Sequence, residues 1–416
     1  MINYKYIGLT SLLNRINNYT SFIIFGLFEY LSFNSLSNVF ENLKTLTMLN
    51  LGQQPLMILI SIISHNLTTL TKLKISNCLS LISLPNELNN LTSLNMLDIS
   101  WYKSLTSLPN ELGNPTSLTI INIFKSISFT SLPNELDNLI SFTMLKIFYY
   151  TNFILLSNKL SNLISFIKLN ISWCKSLTSL PNELSNLPSL TTLKIFGCLN
   201  SIPFLNKSDN LTSLTILKIS LCLRLILLPN ELHKLISFTT LNIFECSSLT
   251  SLPNELGNLT TLTKLNISKL KLLPNELCSL ISLIIFNIPE CSSLTSLPNE
   301  LKNITSLTIL NISEYSSLTS LPNKLSKLTS LTTLDIFKYS NLTLLPSNLI
   351  SLIIFNISKC LSLITLPNEF GNLTLLTIFD ISRCLSLTLL PNELNNLISL
   401  TSLNTFKYSK LTSLPN

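Results

Sequence analysis

Charge is scarce in this chain: Asp, Glu, Lys and Arg together make up 11% of 416 residues. Glycine (7 residues), histidine (2) and tryptophan (2) are scarcer still. Each shortage excludes something. Seven glycines, none of them gathered into a Gly-rich loop, leave no cradle for a nucleotide phosphate. The two histidines, His65 and His233, stand 168 residues apart, too far to share a metal or a catalytic step. No run of Lys or Arg marks a nucleic-acid patch although the net charge is +7, so no nucleic-acid partner is expected. Long apolar runs are missing too. The mean hydropathy of +0.46 would suit a membrane protein. Yet Asn, Ser, Thr or Lys interrupts every apolar run well short of the about 20 residues a spanning helix needs. The most apolar N-terminal stretch, Phe22 to Phe33, contains Glu29 and lacks the basic start and small-residue cleavage site of a signal peptide. The expectation is a chain neither inserted in a membrane nor secreted, and therefore cytoplasmic.

What is present is a repeat. Leu-Pro-Asn-Glu-Leu or a close variant recurs with its proline at Pro85, Pro109, Pro133, Pro181, Pro229, Pro253, Pro274, Pro298, Pro322, Pro346, Pro367, Pro391 and Pro415. The period is 24 residues, with Ser157 and Leu205 standing where proline is due, and the copies ending at Pro274 and Pro367 are 21 residues long. Degraded copies such as Ser37 to Leu43 carry the register back toward Leu13. One array of about seventeen units therefore fills residues 1–416, with degraded copies over 1–60. Within a unit, Leu94 to Ser100 alternates apolar and polar residues, as a strand with one buried face does. Tyr102 to Ser107 forms a turn, and Leu108-Pro109-Asn110-Glu111-Leu112 opens a helical or 3-10 turn, whose start suits proline. No unit can bury its leucines alone, so the units must stack and pair their strands in parallel.

The pattern Leu-x-x-Leu-x-Ile-x-x-Cys-x-x-Leu-x-x-Leu-Pro-x-x-Leu-x-x-Leu stands complete from Leu214 to Leu235. It resembles the leucine-rich repeat family, and most of all its intracellular subclass of 23–24-residue units, found in plant disease-resistance receptors and Ras-suppressor-like scaffolds. The resemblance implies an α/β solenoid: a horseshoe with a parallel sheet on its concave side and short helical or 3-10 turns on its convex side. The family binds many unrelated partners, so the motif encodes a scaffold rather than a function. The chain departs from the family at the position seven residues before the proline. There the family has Asn or Cys, and this chain has Tyr102, Tyr150, Tyr315, Tyr339 and Tyr408 in some copies. How the turn's polar groups are then satisfied is an open question.

In a solenoid the meaningful unit is the column, one repeat position read across stacked copies. Eight of the nine cysteines share the column just described: Cys78, Cys174, Cys198, Cys222, Cys246, Cys291, Cys360 and Cys384. Buried free thiols are the expectation, because parallel side chains do not converge on a metal, and a ladder of thiols favours a reducing compartment. A second column holds Glu87, Glu111, Glu135, Glu183, Glu231, Glu255, Glu276, Glu300, Glu369 and Glu393. A row of equal carboxylates lacks the two unequal environments that acid–base catalysis needs, and Glu early in a helical turn simply complements the dipole. We expect no enzyme, no cofactor and no metal.

Specificity then falls to the sheet's outward columns. Met96, Ile120, Met144, Lys168 and Ile216 stand in the first, and Lys146, Lys194 and Lys218 in the second. Phe124, Phe148 and Phe196 stand in the third, and Trp101, Tyr149 and Trp173 in the fourth. Aromatic residues beside lysines have the composition of an interface hot spot. The expected site lies on the concave face around residues 96–220 and takes a protein partner with apolar and acidic features. In the competing reading, the Phe rings pack over neighbouring serines and the charges are incidental. Two further classes stay open: a structural protein that self-associates through uncapped ends, and the recognition arm of a larger protein.

Overall fold

A computed structural model of the chain describes residues 24–28, 43–52 and, with short gaps in the turns, most of 60–149, 162–198 and 211–407. Apart from residues 24–28, the degraded copies before residue 43 lie outside the described residues, as do the ladder residues Ser126, Tyr150 and Tyr408, the irregular positions Ser157 and Leu205, and both chain ends. So does the expectation of uncapped ends.

The chain packs as two compact units, Met1–Leu214 and Thr215–Asn416. The first holds β1 (Ile24–Phe28), β2 (Met48–Gly52), β3 (Lys72–Ser76), β4 (Met96–Ser100), β5 (Ile120–Phe124), β6 (Met144–Phe148), β7 (Lys168–Ser172) and β8 (Thr192–Phe196). The second holds β9 (Ile216–Ser220), β10 (Thr240–Phe244), β11 (Lys264–Ile267), β12 (Ile285–Asn287), β13 (Ile309–Asn311), β14 (Thr333–Asp335), β15 (Ile354–Asn356), β16 (Ile378–Asp380) and β17 (Ser402–Asn404). In each unit, every strand pairs in parallel with the next in sequence. Leu97 stands opposite Ile121 and Leu145 opposite Leu169 in the first, and Leu217 opposite Leu241 in the second. The stacking that the period demands is therefore the topology observed.

One unit shows how the sequence produces it. Leu265 and Ile267 of β11 are buried, while Lys264 and Asn266 between them are half-exposed. Pro253 is extended (φ −65°, ψ 141°) and caps a 3-10 helix over Asn254–Asn258, its carbonyl accepting the Leu256 N–H at 3.1 Å. The proline thus precedes the turn, where its lack of an N–H costs nothing. Leu252, Leu256, Leu259 and Leu262 all point inward and are at most 3% exposed. The expected helical or 3-10 turn is 3-10 wherever this motif forms a helix among the described residues. Among the glutamates of the outer column, Glu231, Glu255 and Glu300 lie in the first turn of these short helices.

The two 21-residue copies lose their three residues in different places. Between Lys264 and Pro274 the turn after the strand is cut. There Leu270 is buried beneath it and gives its N–H to Cys291 Sγ at 3.3 Å. Between Pro346 and Ile354 the 3-10 helix itself is replaced by a tighter bend in which Asn348 takes φ 64°. Register survives both cuts, with Lys264 opposite Ile285 and Thr333 opposite Ile354.

Two further regularities run along the array. Strands shorten from five residues in β1–β10 to three in β12–β17. In the short strands Asn311, Asp335, Asn356 and Asp380 each accept, through Oδ1, the N–H two residues on, at 2.9–3.0 Å. That local bond competes with the sheet ladder and ends the strand. From β3 on, a residue one to three places after each strand has a left-handed backbone: Asn77, Trp101, Lys125, Tyr149, Trp173, Leu221, Glu245, Lys269, Glu290, Glu314, Lys338, Lys359, Arg383 and Lys407 all have φ between 53° and 64°, as does Gly197.

Beneath this turn lies the thiol column. All nine cysteines are buried thiols outside any disulfide. Cys360 and Cys384 give their thiols to the carbonyls of Ile336 (3.3 Å) and Ile357 (3.1 Å), each one copy back. Tyr315 fills the same column and gives its hydroxyl to Ile288 O at 2.8 Å. Tyr102 and Tyr339 are equally buried, with no hydrogen-bond partner for their hydroxyls. A tyrosine hydroxyl therefore reaches a backbone carbonyl in only one of the three described cases; Tyr315 and Tyr339 also stack on each other at 5.4 Å and 10°.

Candidate interaction surface

On the first unit's solvent face, the aromatic residues expected to recognise a partner come together. The Trp101 ring lies 5.9 Å from Phe124, and Phe124 lies 5.3 Å from Tyr149 and 6.3 Å from Phe148. Tyr149 stacks on Trp173 at 5.8 Å and 13°, and Trp173 meets Phe196 edge-on at 5.1 Å. The result is one unbroken row of rings running from the end of β4 to the end of β8. The Phe side chains contact other rings, and each also stands opposite a serine in the sheet register: Phe124 opposite Ser100, and Phe148 and Phe196 on either side of Ser172.

Backbone geometry makes the row. Trp101, Tyr149 and Trp173 sit at left-handed positions, with φ of 64°, 60° and 56°. Their N–H groups bond across to the residue that ends the next strand, Trp101 to Phe124 O (2.9 Å), Tyr149 to Ser172 O (2.9 Å) and Trp173 to Phe196 O (2.6 Å). Trp101 and Trp173 thus each stand beside a strand-ending Phe, and Tyr149 beside the strand-ending Ser172. Trp173 also lies flat over Gly197, where a Cβ would come within 2.5 Å of Trp173 Cε3. Gly197 both takes φ 63° and leaves the space the indole uses.

Exposure along the row is uneven. Trp101 and Tyr149 are 47% and 45% exposed, while Phe124, Phe148, Trp173 and Phe196 are half-buried. Met96, Ile120 and Met144 are half-buried beside them. Lys168 and Lys194 are exposed and Lys146 is half-buried on the same face, with Lys72 and Lys74 on β3. Against these lysines stands Asp98 on β4. None of the lysines is ion-paired among the described residues. Lys125, which sequence reasoning passed over, places Nζ 3.7 Å from the Trp101 ring centre. Its signal was its position, immediately after the strand in the same column as Trp101 and Tyr149. Ile216 and Lys218 fall on β9 in the second unit, outside this row.

The other candidates stay apart. His65 is exposed, and His233 is half-buried with Nδ1 2.7 Å from Asn230 O. Among the described residues no group of three His, Cys, Asp or Glu could hold a metal ion, and no helix is long and apolar enough to cross a membrane. Burial pushes the Cys384 thiol up to about 11 and the Cys278 thiol up to about 12, with Glu300 and Glu276 adding to the latter. These thiols are protonated and unreactive at neutral pH.

No family model matches the sequence, and no curated protein matches it. Solved structures do match the fold. A leucine-rich repeat protein of Leptospira interrogans superposes with a TM-score of 0.67 at 22% identity, over 96% of this chain and 100% of that one. A TDR receptor gives 0.53 at 20% identity, over 83% of this chain and 65% of that one. TLR13, in complex with ssRNA13, gives 0.50 at 20% identity, over 85% and 56%. At such identities the likeness concerns architecture alone. Parallel strands at a 24-residue step, 3-10 turns after Leu-Pro, a buried leucine core and these neighbours define a leucine-rich repeat solenoid.

Proposed function

We propose that the chain is a non-catalytic protein-recognition module whose partner docks on the solvent face of the first unit's sheet. The contact surface is Trp101, Phe124, Phe148, Tyr149, Trp173 and Phe196, flanked by Met96, Ile120, Met144, Lys146, Lys168 and Lys194. Ile216 and Lys218, at the equivalent repeat positions, lie on β9 of the second unit and outside this surface. The observation that carries this reading is the continuous row of rings with exposed Trp101 and Tyr149, set among unpaired lysines. Large aromatic surface at low entropy cost is what interface anchors supply, and unpaired cations around it favour an acidic rim on the partner. Base stacking is disfavoured: Tyr149 and Trp173 already cover each other's faces, and Lys125 caps Trp101. The finer placement, in the intracellular class of such repeats and in the cytoplasm, belongs to this proposal. The column of buried thiols, none of them in a disulfide, supports it.

The test is affinity capture of the tagged full chain from its native cells, wild type beside Trp101→Ala/Trp173→Ala, with matched thermal melts. A stoichiometric protein recovered by the wild type and lost from the double variant is expected. Equal recovery by both, recovery of RNA alone, or recovery of only further copies of the chain would overturn the reading.

A further inference from the structure

After Leu221, the left-handed column of the second unit carries charge rather than aromatic rings, and its cations are of two kinds. Lys269 pairs with Glu290 at 3.5 Å, and Lys338 pairs with Glu314 at 2.9 Å. The next three members, Lys359, Arg383 and Lys407, follow β15, β16 and β17 and meet no carboxylate among the described residues. Instead they lean on rings: Lys359 Nζ is 4.7 Å from the centre of Phe337, while Arg383 and Lys407 are 5.9 Å and 5.3 Å from Phe406. All three hold non-glycine left-handed backbones, with φ of 58°, 59° and 59°. Within one column, then, the first cations are neutralised and the last three are left open.

We propose that Lys359, Arg383 and Lys407 form a second docking site, on the second unit, for a short acidic peptide segment of a partner protein, with Phe337 and Phe406 gripping apolar residues at its two ends. Strands stand about 4.8 Å apart, so the three cations lie within about 10 Å. An extended peptide presents alternate side chains on one side about 6.8 Å apart, so two or three acidic residues at alternate positions span the cations. Arg383, at the centre, can take a carboxylate through two N–H groups. Between the two phenylalanines the floor is small, with Ser358 and Ser382 at the equivalent positions, which lets a backbone lie close. Phe406 is 58% exposed. A nucleic-acid strand is the poorer fit, since its affinity grows with the number of phosphates neutralised and only three cations stand in this site. The site is independent of the aromatic row on the first unit.

The test uses the full chain and three labelled probes at low salt. The first is a peptide with four glutamates at alternate positions between two leucines; the second is its glutamine counterpart; the third is an oligodeoxythymidylate of eight nucleotides. The expected result is binding of the glutamate peptide alone, weakened about tenfold or more in Lys359→Gln/Arg383→Gln/Lys407→Gln. Binding is expected to be retained in Lys302→Gln/Lys324→Gln/Lys327→Gln, which removes equal charge from the outer turns. The charge-preserving variant Lys359→Arg/Arg383→Lys/Lys407→Arg keeps the peptide bound if the site is real and folded. No binding by the wild type, equal loss in both glutamine variants, binding of the glutamine peptide, or tighter binding of the oligonucleotide would each overturn the proposal.

Discussion

At a left-handed backbone position an ordinary L-residue is strained by about 1–2 kcal/mol, and glycine is not. This chain places Trp, Tyr, Glu, Lys and Arg there, copy after copy, and a glycine at position 197. Gly197→Ala should lower the unfolding free energy by about 1–3 kcal/mol, because it adds φ strain and drives a Cβ into Trp173. Glu245→Gly, at φ 53°, should leave stability within about 1 kcal/mol of wild type or raise it. Urea melts decide both, and a Glu245→Gly loss as large as that of Gly197→Ala would refute the strain argument. The buried thiols make a second prediction. Burial raises the Cys384 thiol to about 11 in the folded chain, against about 8.5 unfolded. The folded state thus keeps a proton that the unfolded state gives up. The stability this thiol contributes is complete below about pH 8.5 and is lost as pH rises from there to about 11, at about 1.4 kcal/mol per pH unit. Comparing urea midpoints at pH 7.5 and pH 10, Cys384→Ala should show a smaller fall than wild type. Identical falls would mean that the thiol is not held neutral.

At the scale of the element, the three-residue strands β13–β17 each carry one local side-chain bond, whereas β12 is as short without it, because Asn287 Oδ1 has no partner and Pro289 has no N–H to give. Asn356 Oδ1 accepts both the Ser358 N–H at 3.0 Å and the Ser358 hydroxyl at 2.6 Å. Asn356→Ala removes both bonds and leaves two donors short, at a cost of about 1–3 kcal/mol. Asn356→Asp keeps the acceptor and should cost much less at neutral pH. If Asp proves as harmful as Ala in thermal melts, the local bond is not what shapes the strand end. Where the same position is Lys, as at Lys146 and Lys194, no acceptor exists and the strands run to five residues. Asn122, on five-residue β5, makes no such bond, and its Oδ1 is buried without a partner. Residue type therefore permits the short strand without dictating it.

At the scale of the whole molecule, stability is shared between neighbours. Leu97→Ala, at a fully buried position, should cost about 2–5 kcal/mol. Hydrogen exchange should speed up in β3, β4 and β5 and stay unchanged in β14–β16. Uniform acceleration would contradict nearest-neighbour stacking. Most of this architecture is legible in the sequence, because each column repeats one physical requirement: leucine where the core is, alternation where a strand lies, proline before the outer turn. The aromatic row was legible for the same reason, since Trp101, Tyr149 and Trp173 share a column and Phe124, Phe148 and Phe196 share its neighbour. The left-handed backbone beneath that column was not legible, because glycine, its usual marker, is replaced by large side chains. For the same reason Lys125 and the open cations Lys359, Arg383 and Lys407 went unread as partners of the rings. The two 21-residue copies look alike as spacings, and only the path of the chain shows that one cut falls after the strand and the other before it. The tyrosines in the thiol column were legible as a departure, but how each hydroxyl is served depends on neighbours the period does not specify.

The central claim is that recognition belongs to the solvent face of the first unit's sheet. Site-directed photo-crosslinking in native cells tests it directly, with a benzophenone side chain replacing Ile120 in one variant and Asn110, on the outer turn, in another. A discrete protein adduct from position 120 and none from position 110 is expected; adducts from position 110 alone would place the partner on the opposite side and contradict the claim.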